Sequence, residues 1–168
     1  MSFKRRKGLF ELLIKNVKII GENEITDGFV RTANGKITEV GKTAREAENE
    51  EVIDGNGKYL SPGFIDLHVH GGGGYSAMGT PEDIVKMATA HMNYGTTSIL
   101  PTTLAAPIAQ LKTALLNIKE VKWICKTSNI LGAHLEGPFL SPEMCGAQSP
   151  ENILVPSQNE YESLLDLW

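Results

Sequence analysis

The sequence predicts an α/β protein, and two observations lead to that prediction. Residues 11–61 carry strand and turn patterns, whereas from Pro62 onward apolar strand patterns alternate with amphipathic helix patterns. Strands and helices in alternation are typical of parallel βα units. We therefore expect a first domain over residues 1–61, part of a small β-sandwich, and a second domain over residues 62–168 that contains three βα units.

The first domain is predicted from apolar runs separated by tight turns. Residues 12–20 run or alternate apolar, and residues 29–40 contain Asn34-Gly35. An Asn-Gly pair between apolar runs is a strong signal for a two-residue hairpin. The segment 54–57, Asp-Gly-Asn-Gly, predicts a further turn before the last strand of this domain.

The first helix of the second domain has a clear start signal. Thr80 is suited to the N-cap, Pro81 follows at the first helical position, and apolar residues then recur until Gly95. The remaining elements, in chain order, are predicted as a strand over 96–103, a helix from about Pro107 through Val121, a strand over 129–136, and a helix over 160–168 after a capping box formed by Ser157 and Glu160.

The first strand of this domain ends in two histidines. Its apolar residues Phe64, Ile65 and Leu67 predict a strand buried in a parallel sheet. His68 and His70 are two residues apart, so both imidazoles lie on one face. The glycine run that follows permits a close approach of the backbone. Such a pair is suited to a metal, although histidines at a strand end can also bond to water or to the backbone.

A later strand ends in a carboxylate. Glu136 is followed at once by Gly137-Pro138, which stops the strand. Histidines and a carboxylate that converge at strand ends are ligands for a divalent metal that keeps an open position for water. Without a metal, Glu136 would be a loop or helix-capping carboxylate. His134 shares its face, and we expect it to fill space or to support a ligand.

Composition narrows the class of protein. With 168 residues, 41% hydrophobic and 21% charged, and a net charge of -4, the chain resembles an ordinary soluble protein with no bias toward nucleic acid. The basic cluster at residues 4–7 predicts a frayed terminus, and Glu11 and Lys15 interrupt the apolar stretch that a signal peptide needs. No segment approaches transmembrane length. Cys125 and Cys145 form no CxxC, as expected for reduced thiols in the cytoplasm.

Three segments resemble the amidohydrolase superfamily: PGFIDLHVHGGGG from Pro62, GTTSILPT from Gly95 and HLEGPFLSPEMCGAQ from His134. The first segment is common to the superfamily, and the other two are similar to its N-acetylglucosamine-6-phosphate deacetylases. The resemblance begins near Leu12 and implies a (β/α)8 TIM-type barrel, which typically needs about 250 residues. This chain would hold an incomplete barrel of three βα units, and its sandwich would be completed by strands from the C-terminal end of the family's chains.

The same resemblance implies the chemistry. His68, His70 and Glu136 would bind one or two divalent ions, zinc or iron, and Ala147 and Gln148 would contact a small amino-sugar phosphate. Two further histidines and the Asp that acts as general acid and base would come from later strands, so we expect this chain to have no deacetylase activity alone. We expect the complete enzyme to be a cytoplasmic homodimer that binds neither nucleic acid nor membrane.

Two alternatives stay open. The chain could belong to another amide hydrolase of the superfamily, such as a dihydroorotase-like enzyme, or it could be a noncatalytic fragment that serves as an interaction module or is the product of a truncated gene. The segment 146–148 could be a plain surface loop. Ser76 and Gly79 also depart from the family, whose members commonly have acidic residues there, so the polar surroundings of the site are in question.

Overall fold

The computed structural model describes residues 11–168, which form two compact units that divide between Pro62 and Gly63. The predicted boundary, between residues 61 and 62, lies one residue earlier. The basic cluster at residues 4–7 lies outside the described residues. Within residues 11–168 no helix is long and apolar enough to cross a membrane.

The first unit contains one four-stranded sheet in the order β3-β2-β1-β4. Its strands are β1 (Glu11–Ile20), β2 (Ile25–Ala33), β3 (Lys36–Gly41) and β4 (Glu51–Leu60). The pairs β1/β2 and β2/β3 are antiparallel, and β1/β4 is parallel. The Asn34-Gly35 hairpin is confirmed: both residues have positive φ, 53° and 74°, as a type I′ turn requires. Because this part of the chain supplies a single sheet, the sandwich stays a prediction.

The turn expected over residues 54–57 is wrong, because this segment is a bulge inside β4. Asn56 and Gly57 have left-handed backbone, with φ of 49° and 73°. The backbone N–H of Asn56 donates to Oδ1 of Asp54 at 2.9 Å. The parallel pairing with β1 resumes after the bulge, so the strand keeps its direction. The residue types of a turn and of a bulge are the same, since both need positive φ.

The second unit has parallel strands separated by helices, as predicted. Its elements are β5 (Phe64–Val69), β6 (Gly71–Gly72), β7 (Tyr75–Ser76), α1 (Pro81–Met92), β8 (Thr96–Pro101), α2 (Ile108–Ile124), β9 (Asn129–Ile130) and α3 (Gln158–Leu165). Strands β5, β8 and β9 form a parallel sheet in that order, and β6 and β7 form a small hairpin. The chain is therefore an α/β protein, with three strand ends side by side at one edge.

Helix α1 begins where the sequence predicts. The Thr80 hydroxyl accepts from the backbone N–H of Asp83, and the Asp83 carboxylate accepts from that of Thr80 at 3.1 Å. The Thr80 hydroxyl, together with this backbone N–H, lowers the pKa of Asp83 below its ordinary value. The helix ends at Met92, before the expected end at Gly95, whose N–H donates back to the Met92 carbonyl at 3.0 Å.

The capping box expected for α3 is absent. Ser157 is the N-cap residue, but its hydroxyl donates to the Glu160 carboxylate at 2.5 Å and bonds to no backbone N–H of the helix. Helix α3 therefore lacks the reciprocal cap found at α1. Helix α3 spans Gln158–Leu165 and not 160–168.

The strand expected over residues 129–136 is shorter than predicted, since β9 ends at Ile130. Beyond it the chain keeps isolated contacts with β8: the Leu131 N–H donates to the Ile99 carbonyl and the His134 N–H to the Pro101 carbonyl, both at 3.0 Å. His134 also bridges Thr102 in parallel. The irregular segment after Ile130 thus runs alongside β8 and places Glu136 near the carboxyl end of β8.

The core lies between the helices and the sheet, and it leaves part of β5 uncovered. Its buried cluster is Val69, Ala77, Ile84, Met87, Ala88, Ile99, Ile118, Val121 and Ile130. Helix α1 contacts the central strand β8 and α2 contacts β9, whereas β5 lies at the other edge of the sheet. The predicted burial of Phe64, Ile65 and Leu67 is therefore wrong: they are 65%, 64% and 56% exposed.

Candidate metal centre

The two histidines at the end of β5 point to one place. His68 lies in the strand and His70 directly follows it. Their Nε2 atoms are 3.1 Å apart, and the ring planes meet at 81°. The two-residue spacing therefore brings both ring nitrogens together at the carboxyl end of the strand.

Glu136 completes a three-residue cluster with these histidines. Its Oε2 lies 2.8 Å from Nε2 of His68 and 3.0 Å from Nε2 of His70. The three candidate ligand atoms lie within 4.8 Å of one another. The structure thus brings together the three residues that the sequence predicts as ligands.

The donor atoms fit a divalent ion. Oε2 of Glu136 is buried and makes no geometrically acceptable hydrogen bond, although two ring nitrogens are close to it. A buried carboxylate oxygen without a hydrogen bond is costly unless another partner satisfies it. Nitrogen and oxygen atoms about 3 Å apart can share one ion at about 2.0–2.2 Å with bond angles near about 90°. Two imidazoles and a carboxylate are therefore a suitable ligand set.

The His70 ring is oriented by the chain segment after β8. Its Nδ1 lies 3.2 Å from the carbonyl oxygen of Thr102. A carbonyl can only accept, so Nδ1 carries a proton, and in the neutral ring Nε2 is the nitrogen with a lone pair for a metal. Thr102 is fully buried, and its hydroxyl accepts from the Val69 N–H at 2.8 Å and donates to the Leu100 carbonyl at 3.1 Å. The orientation of His70 thus depends on a buried, hydrogen-bonded neighbour.

His134 lies beside the cluster without joining it. Its Nδ1 donates to the Leu67 carbonyl at 2.8 Å, and its ring meets the His68 ring edge to face, with centroids 4.5 Å apart. This contact restricts the His68 ring. The supporting role expected for His134 fits this position and stays a prediction.

Gln148 reaches the cluster from the loop after β9. Its side chain is 8% exposed; Nε2 donates to Oε1 of Glu136 at 2.8 Å, and Oε1 accepts from the Ala105 N–H at 2.8 Å. Ala147 is exposed on the same loop. Both ends of the Gln148 amide have partners in the chain. The contacts of Ala147 and Gln148 with a sugar stay a prediction.

Sequence reasoning missed the threonines that hold the site. The Thr103 hydroxyl accepts from the Glu136 N–H at 3.2 Å, next to the Thr102 that orients His70. The pair directly follows β8, and this position was a signal that the sequence did offer. Gln148 and Glu136 are 12 residues apart and meet only because the loop folds back, so no local sequence pattern predicts their contact.

His91 is not part of the cluster. Its Nε2 lies 3.0 Å from the Gly71 carbonyl oxygen, and a Cβ atom on Gly72 would be only 2.4 Å from that nitrogen. The glycine run thus accommodates a close approach, as expected, but by a side chain of α1. The two cysteines, Cys125 and Cys145, are free.

The amidohydrolase family matches residues 59–166, well over half of the chain. This chain belongs to the amidohydrolase family. The matched segment includes all three residues of the cluster.

Known proteins similar to this amidohydrolase include two named sugar-phosphate deacetylases. N-acetylglucosamine-6-phosphate deacetylase of Bacillus subtilis (strain 168) is 37% identical over 156 residues, covering 89% of this chain and 39% of that protein. N-acetylgalactosamine-6-phosphate deacetylase of Escherichia coli O157:H7 is 33% identical over 135 residues, covering 77% and 34%.

A solved structure agrees over nearly the whole chain. The crystal structure of N-acetylglucosamine-6-phosphate deacetylase from Pasteurella multocida has a TM-score of 0.80 and 31% identity, covering 94% of this chain and 42% of that one. The α/β fold and the resemblance inferred from the sequence are thereby confirmed. The chain spans 34–42% of the length of these relatives.

Proposed function

We propose that this chain provides the metal-binding part of an enzyme that deacetylates N-acetylglucosamine 6-phosphate. In this proposal β5, β8 and β9 with their helices are the first three units of a (β/α)8 barrel, residues 62–168, and residues 1–61 are part of a β-sandwich. The parallel strand order and the similarity to the Pasteurella multocida structure support it.

The observation that carries the proposal is the cluster of His68, His70 and Glu136. The atoms Nε2, Nε2 and Oε2 lie 2.8–3.1 Å apart at the carboxyl ends of the strands. Active sites of such barrels lie at that end. The segment that contains the cluster is also the one shared with the named deacetylases.

The three side chains would hold one or two divalent ions, zinc or iron. A bound ion polarises a carbonyl oxygen and makes water more acidic. Two neighbouring residues prepare the ligands: Thr102 fixes the proton of His70 on Nδ1, and Gln148 occupies one oxygen of Glu136. The remaining oxygen, Oε2, is then free to bind the ion.

The proposed reaction is hydrolysis of the acetamide. Its C–N bond breaks, the oxygen of water joins the acetyl carbon to give acetate, and the sugar nitrogen takes a proton and leaves as the amine of glucosamine 6-phosphate. The acid for that proton is expected from an Asp on a later strand, by resemblance to the family. Ala147 and Gln148 are proposed to contact the sugar, since their loop borders the cluster.

A second candidate substrate is N-acetylgalactosamine 6-phosphate, the epimer at C4. The Escherichia coli relative named for that sugar supports it at 33% identity. The acetamide chemistry would be unchanged, because only the contacts to one hydroxyl would differ. We favour the glucosamine form because the Bacillus subtilis relative is matched at higher identity over more of the chain.

Location and assembly are inferred from the resemblance to the family. We propose a cytoplasmic enzyme that is a homodimer when complete. The two free cysteines fit a reducing compartment.

A chimera tests the proposal. This chain replaces the matching segment of the Bacillus subtilis relative, and acetate release is measured with both sugar phosphates; the same chimera with Glu136→Gln is the control. We expect turnover with a preference for N-acetylglucosamine 6-phosphate, none in the control, and none from the 168-residue chain alone. A folded chimera inactive on both sugars would contradict the proposal, and the opposite preference would favour the second candidate.

A further inference from the structure

The side chain of Gln148 is built into the protein as a bridge between two elements. It is 8% exposed, although it belongs to a loop in which Ala147 and Gly146 are exposed. Its amide joins the end of that loop to Glu136 on one side and to Ala105, after β8, on the other. Burial of an amide that bonds at both ends indicates a structural requirement for this group.

The orientation of the amide follows from its partners. The backbone N–H of Ala105 can only donate, so the atom 2.8 Å from it must be the amide oxygen. The amide nitrogen therefore faces Oε1 of Glu136, also at 2.8 Å, and donates to it. The main chain of Ala105 thus fixes which end of Gln148 meets the carboxylate.

This bond determines what Glu136 offers to the histidines. Oε1 is held by Gln148, and the Glu136 N–H is held by Thr103. Oε2 has no hydrogen bond and lies against the His68 and His70 nitrogens. The carboxylate is consequently fixed in rotation, with one oxygen directed at the site.

We propose that Gln148 is a positioning residue that sets the rotation of the Glu136 carboxylate and so raises metal affinity. The inference rests on the proposed function in that Glu136 is a metal ligand. Partners that hold a ligand in place typically contribute about 10–100-fold to metal affinity. The role is distinct from contact with substrate, because it operates when no sugar is bound.

The test compares two amide-removing variants of the 168-residue chain. Gln148→Met keeps the length of the side chain but removes both hydrogen bonds. Asn117→Leu is the matched control: Asn117 is a partly buried amide in α2 that donates to the Gly79 carbonyl at 3.0 Å, away from the cluster. Zn²⁺ affinity is measured by competition with a chromophoric chelator, and the visible absorption of bound Co²⁺ reports the ligand geometry.

We expect Gln148→Met to bind Zn²⁺ about 10–100-fold more weakly and to change the Co²⁺ spectrum, while Asn117→Leu leaves both unchanged at a similar loss of thermal stability. Gln148→Asn, which is one methylene too short to reach both partners, should act in the same direction if the Met variant does not fold.

The outcomes separate this inference from the proposed function. Wild-type affinity and spectrum in both Gln148 variants, with binding lost in Glu136→Gln, would overturn the positioning role and leave the metal centre intact. Unchanged Zn²⁺ binding in Glu136→Gln would overturn the metal centre itself and the inference with it.

Discussion

The two ends of β5 differ in their surroundings: polar side chains at the carboxyl end have hydrogen-bond partners, whereas apolar side chains near the start are exposed. At its carboxyl end, His70 is bonded to Thr102, and Glu136 is held against both histidines by Gln148 and Thr103. Toward the start of the strand, Phe64 and Ile65 are 65% and 64% exposed.

The two ends differ in which parts of the structure they depend on. The polar site is held by short contacts from neighbouring strand ends and one loop, and all of these lie within residues 63–168. The apolar flank needs a further layer of structure, which these residues do not provide. We therefore expect the metal site to form within residues 63–168, and substitutions can test each side of that contrast.

The largest expected effect is at the site. Glu136→Gln should lose metal binding by more than the about 10–100-fold that a supporting partner contributes, because a neutral amide is a poor ligand for a borderline cation. Metal content is measured after dialysis against a fixed concentration of free Zn²⁺. Glu143→Gln, an exposed carboxylate in the same loop region, is the control and should retain wild-type content. Equal metal content in the two variants would show that Glu136 is not a metal ligand.

A smaller effect is expected for the buried threonine behind the site. Thr102→Val keeps the shape but leaves the Val69 N–H without an acceptor, at a cost of about 1–3 kcal/mol in the free energy of unfolding. Urea denaturation measures this loss. Thr113→Val, which removes an exposed hydroxyl from α2, should change stability by less than about 0.5 kcal/mol. A loss at Thr102 no larger than at Thr113 would mean that the rigid support is absent.

On the apolar flank, stability should hardly change while association does. Ile65→Asn should alter the free energy of unfolding by less than about 0.5 kcal/mol, because the side chain is 64% exposed. It should lower the self-association of the chain, since large exposed apolar patches promote association. Sedimentation velocity measures the mass distribution, with Leu116→Asn, a half-exposed residue of α2, for comparison. A large loss of stability would show that the flank is covered after all.

The smallest effect concerns α1, which lies outside both regions. The pKa of Asp83 is lowered chiefly by the Thr80 hydroxyl. A carboxyl whose pKa is lower in the folded state contributes stability that is present above its unfolded pKa and lost as pH falls through the folded pKa. The melting temperature of Asp83→Asn should thus be below that of the wild type at neutral pH, and the difference between the two melting temperatures should become smaller in acid. A gap that is constant with pH would contradict this interpretation of the cap.

Local signals in the sequence were sufficient for part of this structure. The spacing of His68 and His70 and the cap at Thr80 each involve residues close in sequence, and each lies where expected. Ser157 has the same pattern as Thr80, and both hydroxyls donate to a carboxylate three residues later, but only the Thr80 hydroxyl also accepts from a backbone N–H.

The remaining features depend on the folded neighbourhood. The exposure of Ile65 depends on what lies beside an edge strand, and the partner of Gln148 depends on where a loop closes. Neither feature can be predicted from the residues nearby in the sequence. Positive φ at Asn56 also serves a bulge as well as a turn, so composition alone could not distinguish them.

The most direct test of the metal centre is a crystal structure of this chain grown with Zn²⁺, with data collected at the zinc absorption edge. We predict one anomalous peak at about 2.0–2.2 Å from Nε2 of His68, Nε2 of His70 and Oε2 of Glu136. A zinc peak elsewhere, or none, with Glu136 still against the two histidines, would contradict the assignment of these residues as metal ligands.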